Sequence, residues 1–177
     1  KWLPALANGE RKAAFCLTEP DHGSDAANLE TLAARDGDDY ILNGNKVYIS
    51  GGTVADWLTV FARTGGPGAK GVSAFVVDAH APGVRIDRTD DKMGVRSVPT
   101  AHFSFQDVRV PRENLLGLEE GSGFNHAMLT LNSMRPTVGA RGLGLAEGAA
   151  GYALEWARER KAFGSSVIDF EAIQFMF

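Results

Sequence analysis

The sequence predicts an α+β chain: a mainly antiparallel β-barrel or sandwich over the first two thirds, followed by helix. Three observations carry this. Seven short runs rich in β-branched and aromatic residues succeed one another with turn chemistry between them and no helical periodicity. The dipeptide Asn43-Gly44, a strong hairpin signal, stands between two of these runs. After Gly117 the pattern changes to long helical stretches.

In chain order, the predicted strands cover 13–18, 39–42, 46–50, 57–63, 72–78, 84–88 and 101–110. Asn43-Gly44 is expected to turn the second into the third. The glycine-rich stretch 64–71 is expected to be a flexible connection. In 102–110 the buried side changes parity near Asp107, which suggests a bulge or turn. Ser122 is a candidate N-cap for the first helix. Pro136 is expected to kink that helix or start another, and 137–162 reads as one long helix capped by Gly164. That helix holds Gly139, Gly142, Gly144, Gly148 and Gly151. At roughly 1 kcal/mol each, they require compensation by close backbone packing against other helices or the barrel. The Gly142-Leu-Gly144 run does not have dinucleotide-fingerprint spacing, and no strand precedes it. From Phe170 another helix begins and runs for about two turns, too short to be stable alone. The domains are therefore expected at 1–118 and 119–177.

Composition narrows the function. An apolar fraction of 44% and a net charge of −4 describe an ordinary globular chain. No basic stripe suggests nucleic acid, and no apolar run approaches the ~18 residues of a membrane span. Lys1-Trp2-Leu3-Pro4 opens no signal-peptide pattern. The single Cys16 excludes an intrachain disulfide and fits a reducing compartment. His22, His80, His102 and His126 are scattered, so no metal site is expected. The alanine-, glycine- and arginine-rich composition is read as that of a bacterial cytoplasmic protein.

The most informative stretch is 16–24, Cys-Leu-Thr-Glu-Pro-Asp-His-Gly-Ser. An apolar run stops abruptly there and presents Thr18, Ser24 and backbone N–H groups at one rim. Such neutral donors suit the carbonyls and ring nitrogens of a flat heterocycle, or a phosphate. A second run, Val47-Tyr48-Ile49-Ser50-Gly51-Gly52, ends the same way and adds an aromatic wall.

These two motifs, then Lys92-Met93-Gly94-Val95-Arg96, Phe105-Gln106-Asp107-Val108-Arg109-Val110-Pro111 and Arg160-Lys161-Ala162-Phe163-Gly164, occur in this order. The series resembles the acyl-CoA dehydrogenase family of flavoenzymes. The resemblance implies a fragment holding that family's middle β domain and the first helices of an incomplete four-helix bundle. It implies FAD as cofactor and an acyl-CoA substrate oxidised to its enoyl form. Phe15, Leu17, Thr18, Gly23 and Ser24 match the first flavin loop, and Ser24 also faces the substrate. Tyr48, Ile49 and Ser50 match the second flavin segment, where the usual pair is tryptophan and threonine. Arg160 and Phe163 match an Arg-x-x-Phe element that reaches a neighbouring subunit's cofactor, where an arginine fork suits a pyrophosphate. Arg135 matches a family arginine near the CoA end, and Asn132 stands where some members have an aspartate that contacts CoA. Glu171 stands where a glutamine is common, and a carboxylate there would repel a pyrophosphate. No catalytic base is found: Met134 occupies one family position for it, so the base is expected downstream of Phe177. The chain alone is therefore not expected to dehydrogenate a substrate. Glu19 is read as structural.

Further implications are electron-transferring flavoprotein as acceptor and a homotetramer at full length. Within the family, the barrel segments look most like short branched-chain members such as isobutyryl-CoA dehydrogenase. Two alternatives stand beside this reading: an oxygen-reactive flavoenzyme of the same fold (an acyl-CoA oxidase or flavin monooxygenase), and a non-catalytic flavin-binding module.

Overall fold

Seven strands form one curled, mixed sheet, an open half-barrel, and a long helix follows it. The computed structural model describes residues 1–177. A short helix α1 (Leu3–Ala7) precedes β1 (Ala13–Cys16), β2 (Leu32–Asp36), β3 (Asp39–Ser50), β4 (Trp57–Arg63), β5 (Val72–Asp78), β6 (Val84–Thr89) and β7 (Thr100–Val110). The sheet order is β1-β4-β2-β3-β7-β6, with β5 on β4. Four pairings are antiparallel, as expected. The departure is β4, which takes both β1 and β2 in parallel. The β2–β3 hairpin lies between β1 and β4 in sequence and supplies the crossover that parallel pairing needs.

The Asn43-Gly44 hairpin does not form, because β3 runs straight through it. The Asn43 side chain bonds Asp107 on β7, accepting its N–H at 2.9 Å and donating to its carboxylate at 3.1 Å. Gly44 is required for close approach: a Cβ there would sit 2.5 Å from Thr31 Oγ1. The ladder shifts register between Leu42 and Gly44, a bulge rather than a turn. The real turn is Gly37-Asp38, closing the Asp36–Asp39 pair. Gly37 has φ +64 while Asp38 does not enter the positive region, the sign pattern of a type II′ turn.

The core gathers Leu42, Leu58, Val60, Phe75, Phe103 and Phe105, with the Tyr40 ring 4.9 Å from Phe75. Six consecutive residues of β5 are buried, so that strand reads as an unbroken apolar run. The stretch 64–71, expected to be a flexible connection, is tied down. Thr64 and Gly65 N–H both donate to the Gly71 carbonyl, and the Arg63 guanidinium donates to the carbonyls of Ala27, Leu29, Gly66 and Gly68.

The chain divides into two compact units, 1–128 and 129–177. Helix α2 (Gly123–Glu159) begins in the first and is one continuous element through Pro136, so the proline starts no new helix. It costs the ladder one N–H, and the helix continues on either side. The Ser122 hydroxyl donates to the Glu119 carbonyl and does not cap the helix N-terminus. Gly123 is obligatory, since a Cβ would lie 2.4 Å from the Ser73 carbonyl carbon. By contrast, the five later helical glycines meet nothing within 4 Å, so the close packing expected for them is absent from this chain.

The helix ends at Glu159, earlier than 162. Lys161–Ala162 (β8) and Ser165–Ser166 (β9) form a two-stranded hairpin. Phe163 (φ 53) and Gly164 (φ 85) are its turn, a type I′ pattern, so Gly164 is no helix cap. The chain closes with α3 (Glu171–Gln174), preceded by Asp169 accepting the Ser166 N–H at 3.1 Å. No helix is long and apolar enough to cross a membrane.

Candidate functional site

β1 stops at Cys16, and the next three residues lie along β3. The Val47 N–H donates to the Thr18 carbonyl at 2.9 Å. Lys46 Nζ donates to the Leu17 carbonyl at 3.0 Å and to Glu19 Oε1 at 2.8 Å. The Glu19 carboxylate also accepts the N–H groups of Glu30 (2.6 Å) and Thr31 (2.9 Å). Glu19 and His22 exchange backbone bonds around Pro20. Two motifs far apart in sequence are thus held side by side, with Thr18 half-buried between them.

The ion pair beneath this loop is buried at both ends, with Lys46 fully enclosed. Burial pulls the ammonium below its usual range, opposed by Glu19. Burial also pushes the Glu19 carboxyl up, but Lys46 and the hydrogen bonds from Lys46, Glu30 and Thr31 outweigh it, so the carboxyl sits below its usual range. Cys16, enclosed nearby, is pushed up to about 12 by burial, which makes it a small apolar core residue and no nucleophile.

Tyr48 sits on a β-bulge. Lys46 pairs with Phe103 and Ile49 with Ala101, so Val47 and Tyr48 together oppose His102. The Tyr48 backbone is left-handed, φ 58, a conformation that costs a bulky residue about 1–2 kcal/mol. Its ring is 62% exposed, with the His102 ring edge-on at 5.1 Å.

The remaining predicted residues fall as follows. Phe15 packs its ring 4.8 Å from Phe61. Leu17 and Ile49 bury their side chains, so what they offer at the rim is backbone. Gly23, Ser24 and Ser50 are exposed. The hydroxyls of Thr18, Ser24 and Ser50 are engaged by no other group of the chain. In the second unit, Arg135 donates to Asn132 Oδ1 at 2.7 Å, one turn apart on α2. Arg160 follows the helix end, its carbonyl accepting the Val167 N–H at 2.7 Å. Phe163 is 99% exposed at the hairpin tip, also with a left-handed backbone.

Three organising residues escaped the sequence reading. Lys46 had a usable signal, a lone charge within the apolar run 46–50. Arg63 had one too, at the head of a glycine-rich loop whose carbonyls need donors. His102 had none, because its role depends on bulges in neighbouring strands.

An open aromatic wall beside hydroxyls with no intramolecular partner fits a flat, hydrogen-bonding ring such as a flavin. Nothing in the donor set resembles a metal site, since no group of three or more His, Cys, Asp or Glu side chains converges.

Comparison with known proteins identifies the family. The family description "Acyl-CoA dehydrogenase, middle domain" matches residues 14–108, and "Acyl-CoA dehydrogenase, C-terminal domain" matches 121–177. The chain is 42% identical to a subunit of the caffeyl-CoA reductase-Etf complex of Acetobacterium woodii, covering 99% of this chain and 46% of that protein. It superposes on a probable acyl-CoA dehydrogenase of Mycobacterium abscessus with a TM-score of 0.94 at 41% identity, covering 99% of this chain and 46% of that one. A glutaryl-CoA dehydrogenase of Mycobacterium smegmatis, solved in complex with FADH2, superposes with a TM-score of 0.88 at 33% identity, covering 98% and 44%. The chain therefore spans less than half the length of these proteins.

Proposed function

Because the chain belongs to the acyl-CoA dehydrogenase family, we propose that it forms much of the FAD site of an enzyme that oxidises an acyl-CoA thioester to its α,β-enoyl form. The observation that carries this is Tyr48: an exposed ring on a strained bulge, beside a loop pinned by Lys46. When bound, FAD supplies the acceptor for the substrate's β-hydride.

The chain's own residues do the rest of what is proposed. Tyr48 offers an apolar face to the ring, in the place of the larger tryptophan usual in the family. Thr18 and Ser50 donate hydrogen bonds to its polar edge. Ser24 borders the pyrophosphate and the incoming thioester, and Asn132 and Arg135 lie toward the CoA end. Arg160 and Phe163 serve a neighbouring subunit's cofactor, and the strained, fully exposed Phe163 ring suits a contact made outside its own chain. The proton-abstracting carboxylate comes from outside residues 1–177, in keeping with the share of its relatives' length that the chain spans. A homotetramer, an electron-transferring flavoprotein as acceptor, short branched acyl groups of isobutyryl type and a bacterial cytoplasmic location complete the proposal. The Etf-complex relative supports the acceptor.

The test is to mix the purified chain with FAD, desalt it and record the visible spectrum. Retained flavin bands, weakened by Thr18→Ala or Tyr48→Ala, are expected. A colourless protein, from this chain and from the full-length gene product alike, overturns the flavin reading.

A further inference from the structure

His102 stands between two bulges. On one side Val47 and Tyr48 of β3 oppose it. On the other, β6 shifts register between Ile86 and Arg88, which leaves Asp87 as the extra residue beside it. A bulge turns a strand locally and re-aims its side chains. With both neighbouring strands bulged at one residue of β7, that residue's side chain becomes a fixed point against which both are set.

The contacts bear this out. The His102 ring meets Tyr48 edge-on, centroids 5.1 Å apart and planes at 69°. His102 Nε2 lies 2.9 Å from Asp90 Oδ1 and 3.4 Å from Arg88 Nη2. Arg88 Nη2 in turn lies 3.7 Å from the same Asp90 oxygen. The imidazole is buried while Tyr48 is exposed. Asp90 is itself tied to the sheet, its N–H donating to the Thr100 carbonyl at 2.9 Å. A chain of fixed groups therefore runs Thr100–Asp90–His102–Tyr48, from β7 back to the ring.

We infer that His102, oriented by Asp90, is a positioning residue for the flavin wall, holding the Tyr48 ring in a single orientation so that its solvent side is ready to receive the cofactor. The inference rests on the flavin reading for its purpose, but not for its geometry. It accounts for an aromatic that keeps a left-handed backbone and an exposed ring without packing into the core. A ring ordered before binding does not have to be immobilised on binding, which strengthens affinity without any added contact to the ligand.

A double-mutant cycle on the full chain tests this, with FAD affinity read by flavin fluorescence. His102→Ala is expected to weaken FAD binding about tenfold in the native background and to have no further effect alongside Tyr48→Ala. His102→Phe, which keeps an aromatic edge beside Tyr48, recovers most of that loss. Equal losses in both backgrounds, or no loss at all, overturn the inference. A second readout needs no flavin. With three tyrosines in the chain, the Tyr48 ring is assignable by aromatic NMR. His102→Ala, or Asp90→Asn if the alanine variant does not fold, is expected to move and broaden its resonances. An unchanged Tyr48 signal overturns the inference whether or not FAD binds, whereas a protein that shows the NMR effect but retains no FAD overturns only the flavin reading.

Discussion

Lys46 Nζ lies 2.8 Å from Glu19 Oε1, and both groups are closed off from solvent. One belongs to β3 and the other to the loop after β1, so the pair fixes the distance between the two site motifs. Removing one partner leaves a buried charge without its counterion. Lys46→Met is therefore expected to destabilise the chain by about 3–5 kcal/mol, and adding Glu19→Gln to recover part of it. Denaturant titrations of the two variants measure both. A Lys46→Met protein as stable as the native one would show that the pair does not hold the loop in place.

The same carboxylate sets an acid limit. Its folded value lies below the ordinary 4.5, held there by Lys46 and hydrogen bonds against the opposing effect of burial. A depressed carboxyl contributes stability that is complete above its unfolded value and disappears as pH falls through its folded value. Melting temperatures below about pH 4.5 should fall more steeply in the native protein than in Glu19→Gln. Parallel pH profiles would show that Glu19 is not the group responsible.

Tyr48 should separate stability from binding. Tyr48→Gly relieves a left-handed tyrosine and deletes a mostly exposed ring, so unfolding free energy is expected to change by less than about 1 kcal/mol. Flavin retention should nonetheless fall sharply, while Tyr48→Phe retains it. A large loss of stability in the glycine variant would mean that the ring serves the core.

Two glycines of α2 should respond in opposite directions. A Cβ at Gly123 would strike the Ser73 backbone, so Gly123→Ala is expected to cost about 1–3 kcal/mol. Gly148 faces open space, and Gly148→Ala is expected to add about 1 kcal/mol to this chain. Thermal unfolding followed by circular dichroism distinguishes them, and a destabilising Gly148→Ala would show that this position is packed after all.

Much of this was legible in the sequence for identifiable reasons. β4 and β5 have the bounds that their apolar runs predict, and β6 and β7 differ by one residue at one end. β2 was missed because it buries only Ala33 and so carries no apolar alternation. Its turn signal, Asp36-Gly37, lost to Asn43-Gly44, whose glycine proves to be needed for proximity to Thr31. In the site, Thr18 and Tyr48 announced themselves by local motifs, and the chain brings those motifs together. Lys46 carried a signal as a lone charge in an apolar run, but its partners Leu17 and Glu19 lie in a distant loop. His102 was illegible because bulges in two other strands, some fifteen and fifty residues away, give it its place.

The ladder between β3 and β7 pairs Tyr40 with Val110 and Ser50 with Thr100. On a ribosome, β3 therefore emerges well before its partner exists, and joining residues so distant is slow. In that interval its edge is unpaired, and an unpaired apolar edge invites pairing with another nascent chain. Lys46 lies in the middle of that edge. The amine that later disappears beneath the loop after β1 is, until then, a charge on that edge, of the kind that blunts edge-to-edge pairing.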